Sequence, residues 1–129
     1  MLVREHTAED IASIHRFLNE HGWAHRIGSV EQFASLLRNS QRTAMAVEGS
    51  TIVGFARGIT DGISNGYLSM VAVSPACRRQ GIGSALVQHI VGDAPGITWV
   101  LRAGRDGAPE FFAKLGFVNS SVAMERRRA

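Results

Sequence analysis

The stretch Tyr67–Val73, YLSMVAV, limits the fold most tightly. It reads as the clearest strand in the chain. Leu68, Met70 and Ala72 are expected on one face, and Tyr67, Ser69, Val71 and Val73 on the other. Both sets are largely apolar, so the strand is expected to be central and covered on both sides. The rest of the chain must therefore supply a layer above and a layer below one sheet.

The flanking segments provide those layers. LVRE reads as a short first strand. Thr7 with Asp10 three residues later forms a capping-box pattern, and Ile11, Ile14, Phe17 and Leu18 follow at helical spacing. A helix is expected from Glu9 to about Glu20, broken by HGW. Ser29 and Gln32 form a second box, and Val30, Phe33, Leu36 and Leu37 a second stripe ending near Arg38. The period then changes to two. Thr43–Glu48 and Thr51–Ile59 flank EGS, a hairpin signal, and TDGISNG is dense in turn residues. Beyond the central strand, Ile82, Ala85, Leu86 and Ile90 stripe a third helix that ends near Gly92. Ile97–Leu101, ITWVL, reads as a buried strand. PEFFAKLGF reads as a short helix with Pro109 early and Gly116 as its stop. SVAMER, Ser121–Arg126, reads as a closing strand. The expected order is β-α-α-β-β-β-α-β-α-β. It describes an α/β (α+β) domain over residues 1–129, with a mixed, mostly antiparallel sheet of about six strands and helices on both faces. There is no internal repeat, low-complexity block or linker.

Composition excludes several classes. A chain of 129 residues buries about two-thirds of its unfolded surface, enough for a real core. Cys77 is the only cysteine, which rules out an internal disulfide and a Cys-based zinc site. His21 and His25 have metal-ligand spacing, but Gly22 interrupts a helix there and no third ligand is evident, so no metal is expected. No apolar run approaches the ~20 residues of a membrane span, and MLVREHTAED lacks the apolar core of a signal peptide. A cytoplasmic location is expected, with no membrane partner. The formal charge of +3 is nearly all arginine, and Arg126–Arg128 reads as a solvated chain end. No helix carries a basic stripe, so nucleic acid is not an expected partner.

Between the central strand and the third helix stands SPACRRQGIGSA, Ser74–Ala85. A P-loop needs G-x-x-x-x-G-K-S/T, and the only lysine here is Lys114. A dinucleotide-binding turn needs a third glycine where Leu86 stands, and a tighter turn than Val73–Gly81. What remains is a helix start with free N–H groups and partial positive charge. Gly81 and Gly83 remove side chains, and Arg78 and Arg79 add charge at the rim. These features suit a diphosphate.

VAVSPACRRQGIGSALV resembles the acetyl-CoA-binding motif of the GNAT superfamily of N-acetyltransferases. The family signature Q/R-x-x-G-x-G/A after a strand is matched by Arg78, Gly81 and Gly83. FFAKLGF, Phe111–Phe117, is similar to the family element FYxKLGF, and the order of elements agrees from Met1 to about Arg127. The resemblance implies an acyl-CoA-dependent N-acyltransferase. It would move an acetyl group from acetyl-CoA to a primary amine of a small molecule or protein, by direct attack in a ternary complex. It implies that the CoA pyrophosphate lies on the backbone of Arg79, Gln80, Gly81, Ile82, Gly83 and Ser84 beside Arg78. The pantetheine arm would pair with Val71 and Val73 and pass Phe112, with a strand N–H, assigned to Val71, facing the developing oxyanion. The family's tyrosine acid falls on Phe112, which has no proton to give. The glutamate base of some members falls on Tyr67, a poor base with an ordinary pKa of ~10. Tyr67 then stands as donor, substrate anchor or core aromatic. The first two helices and their loop wall the acceptor site in this family. That places Trp23 and His25 there, with Asp61, Asn65 and Ser69 as further wall candidates. Two other expectations stay open: a homodimer, and an acyl-CoA-binding module with weak or no catalysis.

Overall fold

The two capping boxes anchor the chain's first helices. The computed structural model describes all of residues 1–129. Strand β1 (Leu2–Arg4) leads into a 3-10 turn (Ala8–Asp10) and helix α1 (Ile11–Glu20). The Asp10 carboxylate accepts the Thr7 N–H at 2.7 Å. It also takes both arms of Arg4, at 2.8 and 3.1 Å. A single-turn helix α2 (Ala24–Ile27) follows, unforeseen in the sequence because one turn shows no periodicity. Helix α3 (Val30–Arg38) opens on Ser29. The Ser29 hydroxyl accepts from Gln32 N–H, and the Gln32 amide oxygen accepts from Ser29 N–H.

Asp10 joins the helix start to β1, and the Arg4 guanidinium holds its carboxyl well below the usual carboxylate range. A depressed carboxylate stabilises the fold above its unfolded pKa of ~3.9, and that contribution fades as pH falls below it. Asp10→Asn is expected to cost about 1 kcal/mol at pH 7, since the ion pair is partly exposed. Denaturant melts should show the gap from wild type closing as pH drops toward 3.

The remaining elements are β2 (Arg42–Glu48), β3 (Thr51–Thr60), β4 (Asn65–Val73), a 3-10 turn (Pro75–Cys77), α4 (Ile82–Val91), β5 (Thr98–Val100) and α5 (Ala108–Ala113). The sheet runs in the order β1-β2-β3-β4-β5. All neighbours are antiparallel except β4 and β5, which are parallel. On one face α1, α2 and α3 bury Ile14, Leu18, Phe33 and Phe55 with Met70 and Ala72. On the other, α4 packs Ile82, Leu86 and Ile90 onto Ala44, Ala46, Ala56 and Leu68. Small residues let α4 lie close. A Cβ on Gly54 would stand 2.8 Å from Leu86, and one on Gly58 2.6 Å from Ile90. No helix is long and apolar enough to cross a membrane.

Two sequence expectations are corrected. The sheet has five strands, not about six. Ser121–Arg126 pairs with nothing, and its apolar residues Val122 and Met124 are 86% and 98% exposed. The Ser120 hydroxyl instead accepts the N–H groups of Val122 and Ala123, turning the chain where a strand would run straight. The second correction concerns the faces of β4. Met70 has φ +58°, and the β3 register jumps from Phe55↔Ala72 to Arg57↔Ser69. This bulge shifts the alternation by one residue. Leu68 therefore faces α4, while Met70 and Ala72 face α1 and α3.

Candidate active site

The loop that opens α4 is shaped by two left-handed residues. Ser74–Cys77 closes a short turn through the Cys77 N–H to the Ser74 carbonyl at 2.9 Å. Arg79 then takes φ +67° and Gly81 φ +80°. A positive φ is uncommon for arginine and marks a backbone held in an unusual shape. Left-handed residues in such a run turn successive N–H groups toward one concave side. Helix α4 makes its first backbone bond from Ala85 to Gly81, at 3.0 Å. Six consecutive N–H groups, Arg79 to Ser84, find no acceptor in the protein. The helix adds partial positive charge at the same end. Arg78, Arg79 and Gln80 are exposed and make no ion pair within the chain.

The two loop glycines do different jobs. Around Gly81 there is open space, so nothing blocks an approaching ligand. Gly83 is buried, and a Cβ there would stand 2.9 Å from the ring of Phe111. Its missing side chain makes room for α5, a contact that no local sequence signal reveals.

One strand length away the sheet opens. Strands β4 and β5 pair only through Asn65↔Thr98, Gly66↔Trp99 and Tyr67↔Val100. Beyond Tyr67 they part. The Ser74 N–H bonds to the Val53 carbonyl on β3 at 2.8 Å. By strand alternation, the backbone groups of Val73 and Val71 turn away from β3, toward the opened side. The site thus offers a polar backbone rail leading to a concave set of free amides.

Unpartnered amides at a helix start suit an anionic group, and a family pattern covers this stretch. The pattern of the Acetyltransferase (GNAT) family matches residues 8–117. The chain belongs to the GNAT acetyltransferase family. Solved structures with the same fold include a GNAT-family protein of Xanthomonas campestris pv. campestris. It is 26% identical, with a TM-score of 0.77, covering 99% of this chain and 94% of that one. A GNAT-family acetyltransferase of Streptococcus pneumoniae is 20% identical with a TM-score of 0.66, covering 98% and 97%. An aminoglycoside 6'-N-acetyltransferase complexed with coenzyme A is 22% identical with a TM-score of 0.58, covering 68% of this chain and 52% of its own. No curated protein of known function matches the sequence.

Within this GNAT domain the side chains divide between two grooves that share Val100, Leu101 and Ala123 of β5 and the tail. The first lies between β5 and α5 and is apolar, lined by Trp99, Phe112, Leu115 and Phe117. Phe112 packs edge-on against Phe111 and Phe117, with ring centres 4.9 and 5.7 Å away. The second groove holds Tyr67 and His25 with Arg26, Arg102, Glu125 and Arg126–Arg128. Tyr67 points to the α1–α3 side, because Gly66 before it faces Trp99 on the α4 side. Half-buried, its phenol is raised above its ordinary pKa by burial, against the pull of Arg102 and Arg57. It keeps its proton throughout the neutral range.

The other wall candidates scatter. Ser69 shares the Tyr67 face and stands opposite Arg57 on β3. The Trp23 ring lies under the Arg105 guanidinium at 4.1 Å, packed on the α1–α3 core. Asp61 organises the β3–β4 turn, accepting the N–H groups of Ile63, Ser64 and Asn65 and the Ser64 hydroxyl. Asn65 donates its side-chain amide to that same hydroxyl. Neither Asp61 nor Asn65 lines the Tyr67 groove. Sequence reading passed over Arg57, although a lone charge in TIVGFARGI was a visible signal. Arg126–Arg128 are exposed, as a solvated chain end should be, and they also border the groove beside Tyr67.

Proposed function

We propose that the protein is an N-acetyltransferase that moves an acetyl group from acetyl-CoA to an amine held at the Tyr67 groove. The observation that carries this reading is the run of six partnerless N–H groups at Arg79–Ser84, beside a splayed strand edge. In this reading the amides of Arg79, Gln80, Gly81, Ile82, Gly83 and Ser84 hold the CoA pyrophosphate, with Arg78 at the rim. Val71 and Val73 bind the pantetheine arm by backbone hydrogen bonds. The Val71 N–H faces the thioester oxygen and stabilises charge that develops there. Acetyl-CoA supplies the activated acyl group when bound. Tyr67, protonated at neutral pH, gives a proton or anchors the acceptor, while the Phe112 ring packs against the thiol arm.

Thiol release from acetyl-CoA across a panel of amines tests the reading. Tyr67→Phe should lower kcat by about 10²-fold, the scale of one general acid, with the KM for acetyl-CoA unchanged. An unchanged kcat would leave Tyr67 as packing. The second reading is an acyl-CoA-binding module, favoured by the all-apolar setting of Phe112. Melting shifts with acetyl-CoA and no thiol release with any amine would decide for it.

A further inference from the structure

Strand β3 buries a charge that the protein does not answer. Arg57 is 6% exposed and is the only charged side chain in the core. Its Nε donates to the Ser40 hydroxyl at 2.9 Å. The ion pairs of the chain are Arg4–Asp10, Arg102–Glu125 and Arg127–Glu125, so no carboxylate reaches it. A guanidinium carries five N–H donors and stays charged even where burial lowers its pKa. Four of the five have no acceptor in the protein. The terminal nitrogens are not sealed in, unlike the buried indole nitrogens of Trp23 and Trp99, which also lack partners. A buried, unpaired cation is costly and calls for an anion.

The place where that anion would sit follows from the strand register. Arg57 stands opposite Ser69, and Ile59 opposite Tyr67. Arg57 and Tyr67 are therefore diagonal neighbours on the α1–α3 face, within reach of one small molecule. The charge of Arg57 and the Tyr67 phenol act on one another. Tyr67 also borders a groove, which Arg57 itself does not line, where five arginines and His25 stand against one carboxylate. That carboxylate, Glu125, is already held by Arg102 and Arg127, each at 2.7 Å. Such a groove concentrates anions and repels polyamines. No residue of the α4 loop, where the CoA phosphates are proposed to bind, lines the Tyr67 groove, and none bonds to Arg57.

We propose that the acceptor is a small amine that also bears a carboxylate, and that Arg57 binds this carboxylate as a two-pronged fork. A single buried cation bonded to the Ser40 hydroxyl, with Ser69 opposite it on β4, suits one negative charge. The proposal rests on the acetyl-transfer reading above and names its substrate class.

The test compares amino acids with their C-terminal amides, which carry the same amine without the charge, and adds spermidine as a cationic amine. For wild type, kcat/KM is expected to favour the acids at least ~10-fold, the effect of one good charge-assisted pair. Arg57→Gln should reduce that preference below ~3-fold, and Arg57→Lys should restore part of it. Melting shifts with acetyl-CoA should stay the same in both variants. Amides or spermidine serving as well as the acids in wild type would overturn the proposal, and that comparison needs no variant. A second arm needs no turnover. The acids alone should raise the melting temperature of wild type and not of Arg57→Gln; no acid-specific shift in wild type would also overturn it. Failure of the acetyl-transfer reading looks different: no thiol release with any amine, whether or not acetyl-CoA shifts the melting temperature.

Discussion

Replacing Gly81 by aspartate is expected to abolish stabilisation by acetyl-CoA while leaving the fold in place. A Cβ at Gly81 meets nothing within 4 Å, so the side chain fits. The position has φ +80°, and aspartate is among the few residues that visit this region readily. The new carboxylate would stand among the free amides and face the pyrophosphate. Like charges in contact cost several kcal/mol, so affinity should fall by at least about 100-fold. Gly81→Asn shares the shape and the backbone tolerance without the charge, and should bind within about tenfold of wild type. Titration of all three proteins by thermal shift reads the difference. Equal binding by the Asp and Asn variants would move the pyrophosphate away from this loop. Gly83 is the wrong place for the same experiment, because its substitution drives Phe111 out of its seat.

The largest loss of stability is expected from Gly66→Ala. The added Cβ would lie 2.5–2.6 Å from three atoms of the Trp99 indole. Gly58 lies against the ring and the Arg42 guanidinium stands 5.6 Å from its centre, so the indole can yield only toward the groove it lines. Overpacking of this kind costs about 3 kcal/mol at its upper range. The parallel β4–β5 pairing is only three residues long and depends on this contact. In a Trp99→Leu background the ring is gone, and Gly66→Ala should then cost less than about 1 kcal/mol. Denaturant melts of the four proteins give the coupling directly. Additive losses would mean that Gly66 matters for its backbone rather than for the ring above it.

What could be read in the sequence was local. Ser29 with Gln32, and Thr7 with Asp10, lie three residues apart, and their bonds form within one turn. The stripe Ile82, Leu86, Ile90 and the glycine loop before it carry their own periodicity and chemistry. The rest depended on partners distant in the chain. Gly83 and Phe111 meet only after β5 has been laid down between them. The bulge at Met70 was invisible because both faces of YLSMVAV are apolar, so a shift of one residue leaves the pattern unchanged. The alternation in SVAMER misled for a related reason. Alternation predicts a strand only if one face finds a surface to cover, and Val122 and Met124 find none. Arg57 was legible as an oddity, but its lack of a partner is a fact of three dimensions.

The bulge at Met70 also divides β4 into two frames of inheritance. Residues before it, Tyr67 and Ser69, present their side chains to the α1–α3 face. Residues after it, Val71 and Val73, pack their side chains on the α4 face and turn backbone to the opened edge. If acetyl transfer runs as proposed, substitutions at 67 and 69 would alter the acceptor face and leave the backbone at 71 and 73 in place. A single deletion at the bulge would restore regular alternation and turn one half of β4 over, so that its side chains exchanged faces.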